Sequence, residues 1–258
     1  MAIATYDDIV SRTFSNWHAN WLYYGEVVAT TAAFGGNSFA LVAIGDVKAL
    51  PSLPSGVSAY IPTCFQGAIG TVTTPRTMLL CEVFDLGSLN IAGPTFTDGG
   101  TFPTRTELGS SRDTFGPVFV EITTGLNSNP GNYTITYVDQ DGNSAETTTS
   151  QALPVSGAAR SVGFVPLNTG DVGVKDITAA NRTGGTSPTG VLKFWGVIPV
   201  AYCANGQGGT IFTYPFHTQT FNWVKLDAGA QLRCFAFGGV TTHGPHTIAG
   251  CIDIVGDS

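Results

Sequence analysis

Apolar and polar positions along this chain alternate with a period of two over one short segment after another. In residues 132–150 (NYTITYVDQDGNSAETTTS), Tyr133, Ile135 and Tyr137 alternate with Thr134, Thr136 and Val138. Such alternation predicts a strand with one face on a core and the other in water. The DQDGN that follows supplies residues tolerant of left-handed backbone, so a hairpin turn is expected before residues 144–149 run back. Further apolar, β-branched runs at 38–44, 77–84, 118–123, 161–166, 191–200, 210–214, 231–237 and 248–255 are separated by Gly, Pro, Asn and Asp. Many short strands bounded by turn signals predict an all-β fold of β-sandwich type. The helical crossovers that a parallel sheet requires are not found beyond the N-terminal segment.

That segment follows another period. Tyr6, Val10, Phe14, Trp17 and Trp21 fall four, four, three and four residues apart, which lines them on one face of an α-helix predicted over 6–20. Thr5 and Asp8 have the spacing of a capping box. The aromatic face either docks on a sheet of the same chain or forms an arm inserted into a neighbouring subunit. Residues 93–117 are rich in turn formers and carry several charges, Arg105 and Arg112 among them, so they read as a long surface connection that contacts something. Residues 181–190 read as a loop within a domain. The layout that follows is an Ig-like β-sandwich at 115–202, with a β-rich module made from 1–114 and 203–258.

Composition narrows the setting. Charged residues are 11% of the chain where soluble domains average about 25%. Because surface charge keeps monomers apart, a surface of Thr, Ser, Asn and Gly favours life packed against other chains. A net charge of −7 with 11 Lys and Arg spread along 258 residues offers no basic cluster, so no nucleic-acid partner is expected. The start, MAIATYDDIV, has acids where a secretory leader would be basic. The most apolar segment, 194–204, is broken by Gly196 and Pro199 and is far shorter than the roughly 18 residues of a membrane span, so no membrane partner is expected either. Cys64, Cys81, Cys203, Cys234 and Cys251 cannot all pair within one chain, and none sits in a C-x-x-C. They read as small buried residues, with bonds between subunits left open.

Chemistry finds little foothold. Neither a G-x-S-x-G elbow, a P-loop, a G-x-G-x-x-G nor an H-E-x-x-H occurs. His243 and His246 flank Gly244 and Pro245 and lack a third ligand, so they read as loop residues. Asp139, Asp141, Asn143 and Glu146 miss the EF-hand spacing, which makes the turn the sufficient explanation. Carboxylate pairs such as Glu107 with Asp113 or Glu82 with Asp85 would serve glycoside hydrolysis only if held about 5–10 Å apart across a cleft. Trp195, Trp223, Phe221 and Tyr214 read as core or interface anchors before they read as a sugar platform. No enzyme, metal or cofactor is expected.

The segments YTITYVDQDGN, ARSVGFVPLNTGDVGVKDI and GVLKFWGVIPVA together resemble virion structural proteins of tailed bacteriophages. The matching positions are Tyr137, Gln140, Asp141 and Gly142, then Arg160, Pro166, Leu167, Gly170, Asp171, Gly173 and Val174. Val138 and Asp139 stand where that pattern has Thr and Asn, and Ser144, Ala145 and Glu146 replace its following Gly-Arg. The resemblance implies a capsid decoration, or cement, protein on the outside of the head. Its partner would be the major capsid protein, its own assembly a homotrimer, and its place of synthesis a bacterial cytoplasm. Tyr6, Val10, Phe14, Trp17, Trp21, Arg105 and Arg112 are then the candidate interface. A tail, collar or baseplate part, a host-receptor (glycan) binding module, and a virion-borne polysaccharide hydrolase are the alternatives.

Overall fold

The computed structural model describes residues 18–27, 31–32, 34, 41–49, 58–60, 66–69, 76–107, 110–113, 115–205, 225–226, 230–238, 242–243 and 246–257. The strands in chain order begin with β1 (His18–Val27), β2 (Thr31–Ala32), β3 (Leu41–Ala49), β4 (Ser58–Tyr60), β5 (Gln66–Ile69), β6 (Arg76–Asn90) and β7 (Thr95–Thr97). They continue with β8 (Thr104–Glu107), β9 (Ser110–Asp113), β10 (Val118–Thr124), β11 (Asn132–Asp139), β12 (Glu146–Thr147), β13 (Gln151–Ala152) and β14 (Ser161–Phe164). The last are β15 (Val174–Thr183), β16 (Val191–Asn205), β17 (Lys225–Leu226), β18 (Gln231–Gly238), β19 (Thr242–His243) and β20 (His246–Asp257). Every pairing is antiparallel, and no helix occurs among the described residues. The described residues are all-β, as their alternation predicts.

The largest sheet runs β16, β10, β14, β3, β18, β6, β7, and β16 also pairs with β6. That extra pairing closes β6, β16, β10, β14, β3 and β18 into a barrel, with β7 on the remaining edge of β6. Closure removes the unpaired edges that an open sheet exposes. Registers agree around the ring: Phe119 faces Trp195, Val162 faces Leu41, Phe235 faces both Ala43 and Leu79, and Val197 faces Val83. Directly paired residues share a face, so one continuous face points inward. Ala43, Cys81, Val83, Phe119, Val162, Val197 and Phe235 fill it. The Phe119 ring meets Phe235 and Phe164 edge-on, each at 4.9 Å between centroids.

The long partners β6 and β16 stay paired because two register shifts let them bend, one at Phe194/Trp195 and one at Pro199/Ala201. Pro199 lies at the second, where its missing N–H costs least.

A second layer covers one side of the barrel. β11 lies between β15 on one edge and the short β12 and β13 on the other. Tyr133, Ile135 and Tyr137 are buried, as their alternation predicts, and join Val174, Ile177 and Ala180 of β15. They pack on the barrel's outer wall, made by Val118, Val120, Ile122, Leu192 and Phe194. Each side chain so enclosed contributes about 1.5–3 kcal/mol. Two glycines admit aromatic rings to this wall: a Cβ on Gly163 would lie 2.5 Å from Phe34, and one on Gly196 would lie 2.3 Å from Phe102. A four-stranded sheet therefore packs on the wall of a closed ring of strands. The seven-stranded sheet takes β10 and β14 from within 115–202 and β3, β6, β7 and β18 from outside it, while β16 crosses that boundary.

The remaining strands form smaller sheets. β20 pairs with β1 over ten residues and also with β4 and β5, and β17 pairs with β4. β19 pairs with β2, and β8 with β9. Two expectations change here. His18, Ala19 and Asn20, the end of the predicted helix, open β1, and Trp21 stands opposite Ile252; pairing along a whole strand outweighs an aromatic spacing. The rest of that helix lies outside the described residues, as does 210–214. The stretch 93–117 is also more ordered than a connection, since it holds β7, β8 and β9.

Candidate functional site

Two polar constellations stand out among the described side chains. The first fills one end of the barrel. Glu121 on β10 is in phase with Phe119, and Arg233 on β18 is in phase with Phe235, so both charges point into the interior. Both are buried. Arg233 donates from Nη1 to Glu121 Oε2 at 2.5 Å and from Nη2 to Oε1 at 2.7 Å. Trp195 Nε1 donates to Oε2 at 2.8 Å. The indole ring has the Arg233 guanidinium 5.3 Å from its centroid and the Lys193 ammonium at 5.2 Å, within the range of cation–π attraction.

The network reaches the rim through two more pairs. Arg160 donates to Asp46 Oδ1 at 2.5 Å and lies 3.8 Å from Glu121 Oε1. Lys193 bridges to Asp85. The Arg160 guanidinium holds the Asp46 carboxyl below its ordinary range. Arg160 itself sits at φ 74°, a left-handed conformation uncommon for such a residue. Its backbone N–H donates to Ile122 at 2.7 Å and its carbonyl accepts from Ala43 at 2.9 Å, which continues the ladder between β10 and β3. The Glu121 carboxylate accepts three charge-assisted or indole donors, so it is committed to holding strands together. Sequence reasoning named Trp195 and missed Glu121 and Arg233; the available signal was a charge in phase with the apolar face of a predicted core strand.

The second constellation is the tip of the four-stranded sheet. Tyr137 Oη donates to Asp171 Oδ2 at 2.5 Å and accepts from the Asn168 N–H at 3.1 Å. Burial, then the bond to Asp171, pushes the Tyr137 hydroxyl up to about 12. Asn168 Nδ2 donates to Glu146 Oε2 at 2.8 Å, and the Val172 N–H donates to Gln140 Oε1 at 3.0 Å. In the turn, Asp139 Oδ1 accepts from the N–H groups of Asp141 at 2.9 Å and Asn143 at 2.8 Å. The Asn143 side-chain amide, which donates from Nδ2 to Asp139 Oδ2 at 2.7 Å, and then these backbone bonds hold the Asp139 carboxyl below its ordinary range. Gly142 takes the left-handed conformation at φ 90°. Asp139 therefore serves as a turn cap.

The other candidates are dispersed. Glu82 lies on the barrel's outer face and Asp85 on its inner one, by alternation along β6. Glu107 and Asp113 sit at opposite ends of the β8–β9 ribbon. His243 is on β19 and His246 on β20. Among the described residues no three His, Cys, Asp or Glu side chains gather as a metal site would need, and no helix is long and apolar enough to cross a membrane. Cys81 and Cys234 are buried thiols, and burial pushes Cys81 well above its ordinary value. Of the candidate interface, Trp21 lies on β1, Arg105 on β8 and Arg112 on β9. Tyr6, Val10, Phe14 and Trp17 lie outside the described residues, as do Phe221, Trp223 and Tyr214.

No family model matches the chain, and no curated protein does. Solved structures that align with it include several from infectious bursal disease virus. The Gx strain structure is 12% identical over 93% of this chain and 80% of that one, with a TM-score of 0.21. A mutant VP2 protein of that virus, from T=1 particles, is 12% identical over 93% and 78%, with a TM-score of 0.19. The Gt strain structure is 13% identical over 94% and 83%, with a TM-score of 0.18. Scores of this size do not establish a common fold.

Proposed function

We propose that the chain is a virion structural protein of the capsid decoration type, seated on the outer surface of a major capsid protein lattice. One observation carries this reading. Two of the three segments that resemble phage virion proteins meet in space through residues some thirty apart in sequence, Tyr137 with Asp171 and Gln140 with Val172. They form one bonded unit at a sheet tip, which supports treating them as a single structural signature. The charge-poor composition supports the same reading, since such a surface favours packing against neighbours.

The work of such a protein is mechanical. A chain that binds the assembled shell and not its dissociated subunits stabilises the shell by mass action. Quantitative gel densitometry of purified particles tests this. A decoration protein is present in numbers comparable to the major capsid protein. A copy number as low as that of a tail, collar or baseplate part overturns the assignment.

A further inference from the structure

The closure of the ring sets an amine against a carboxyl across its two fifteen-residue strands, β6 and β16. At Phe194/Trp195 their register skips Leu86, so that Gly87 lies opposite Phe194 and Asp85 opposite Trp195. A bulge of this kind re-aims the side chain that follows it. Asp85 thereby shares the face of Lys193 and Trp195, and Lys193 Nζ donates to Asp85 Oδ2.

Each member of the pair is fixed by partners of its own. The Gly87 N–H donates to the other carboxyl oxygen, Asp85 Oδ1, at 2.9 Å. Gly99 passes over that oxygen so closely that a Cβ on it would lie 2.4 Å away. The Lys193 ammonium lies 5.2 Å from the centroid of the Trp195 ring, and Trp195 is held in turn by its bond to Glu121 at 2.8 Å. The Lys193 and Asp85 side chains are 22% and 45% exposed, so the two ions have given up much of their hydration. A neutral amide in their place does not carry that cost.

We propose that Lys193 and Asp85 condense to an isopeptide bond that fastens β6 to β16. The ammonium passes one proton to Oδ2, and the amine so freed attacks Asp85 Cγ. The Nζ–Cγ bond forms, charge gathers on Oδ1, and the Gly87 N–H is in place to stabilise it. The Cγ–Oδ2 bond then breaks, Oδ2 takes a second proton from Nζ, and one water leaves. Ammonium and carboxylate become amide and water, so no co-reactant is needed. Contact within one folded chain replaces an encounter in solution, which for well-aligned groups is an effective concentration on the order of 10⁵ M or more. The product is a covalent clasp on the strand pair that closes the ring. The inference goes beyond the capsid reading and does not depend on it.

Intact mass spectrometry of the reduced, denatured full chain tests it. The wild type is expected to weigh one water less than its sequence. Lys193→Arg and Asp85→Ala, each checked for folding by thermal melting, are each expected to regain that water. Tryptic digestion locates the bond: Lys193 resists cleavage, and a branched peptide joins residues 77–105 to 183–225. Should a variant fail to fold, this map of the wild type decides by itself. A wild type of full sequence mass, or one cleaved at Lys193, overturns the inference. A missing water that persists in Lys193→Arg overturns it too, because that water was lost elsewhere in the chain. The bond is read without shells, so its absence leaves the capsid reading standing. Its presence in a chain that ignores shells sinks only the capsid reading.

Discussion

The two faces of the barrel wall are built on different principles. The outer face meets β11 and β15 through a cluster of apolar side chains that includes Tyr133, Ile135, Phe194, Val120 and Ile177. The inner face is apolar at one end, around Phe119 and Phe235, and ionic at the other, around Glu121 and Arg233. Apolar packing constrains volume and tolerates swaps of similar size. A bidentate pair constrains direction, because neither partner can be buried alone. The difference teaches that the barrel's closure and register are fixed from inside by hydrogen-bond geometry, while its second layer is held from outside by area and shape.

The largest effects come from breaking one face at a time. Phe194→Ala empties the outer interface and should cost about 3–5 kcal/mol in denaturant unfolding. Arg233→Met, which strands the Glu121 charge, should cost a similar 3–5 kcal/mol or so. The two faces then part company: Glu121→Leu/Arg233→Met should recover most of that loss, yet quicken amide exchange along β6 and β16, because closure loses its directional lock. Equal protection in the double variant and the wild type would show that packing alone sets the register.

A smaller effect is expected at the tip. Tyr137→Phe removes a bond to a carboxylate and should cost about 1–2 kcal/mol. Tyr137 is held protonated in the folded state up to about 12, against roughly 10 in the unfolded chain. The stability it contributes is complete below pH 10 and lost as pH rises towards 12. The alkaline decline should be shallower in Tyr137→Phe, with the remainder coming from Tyr133, whose hydroxyl burial also shifts upward.

The smallest effect lies at the barrel rim. Asp46 is held below its ordinary value by Arg160, so its contribution is present above the unfolded carboxyl value of about 3.9 and lost as pH falls through the folded one. Being mostly exposed, the pair should contribute only about 0–1 kcal/mol. Asp46→Asn is expected to remove that increment at pH 7 and to leave stability unchanged at the acid end.

Much of the barrel was legible. The predicted strands 77–84, 118–123, 161–166, 191–200 and 231–237 coincide with or overlap β6, β10, β14, β16 and β18, and 38–44 overlaps β3. Alternation gives each strand its faces but says nothing of which strands join, so the pairing of β16 with β6 that closes the ring had no local signal. β15 was missed for a different reason. Register shifts at Thr136/Tyr137 and Val138/Asp139 place its buried residues Val174, Ile177 and Ala180 three apart, which hides the period of two. The ends of β6 and β16 also run past the predicted bounds, since their bulges interrupt the alternation there. At the tip, Tyr137 and Asp171 were both singled out by motif, while their bond depends on a fold that brings residue 171 back beside residue 137.

Thermal melting of emptied, expanded capsid shells with and without the purified chain tests the central claim most directly. The account predicts saturable binding at micromolar concentration and a rise in shell melting temperature that tracks occupancy. Shells that melt at the same temperature and sediment without the chain would contradict it.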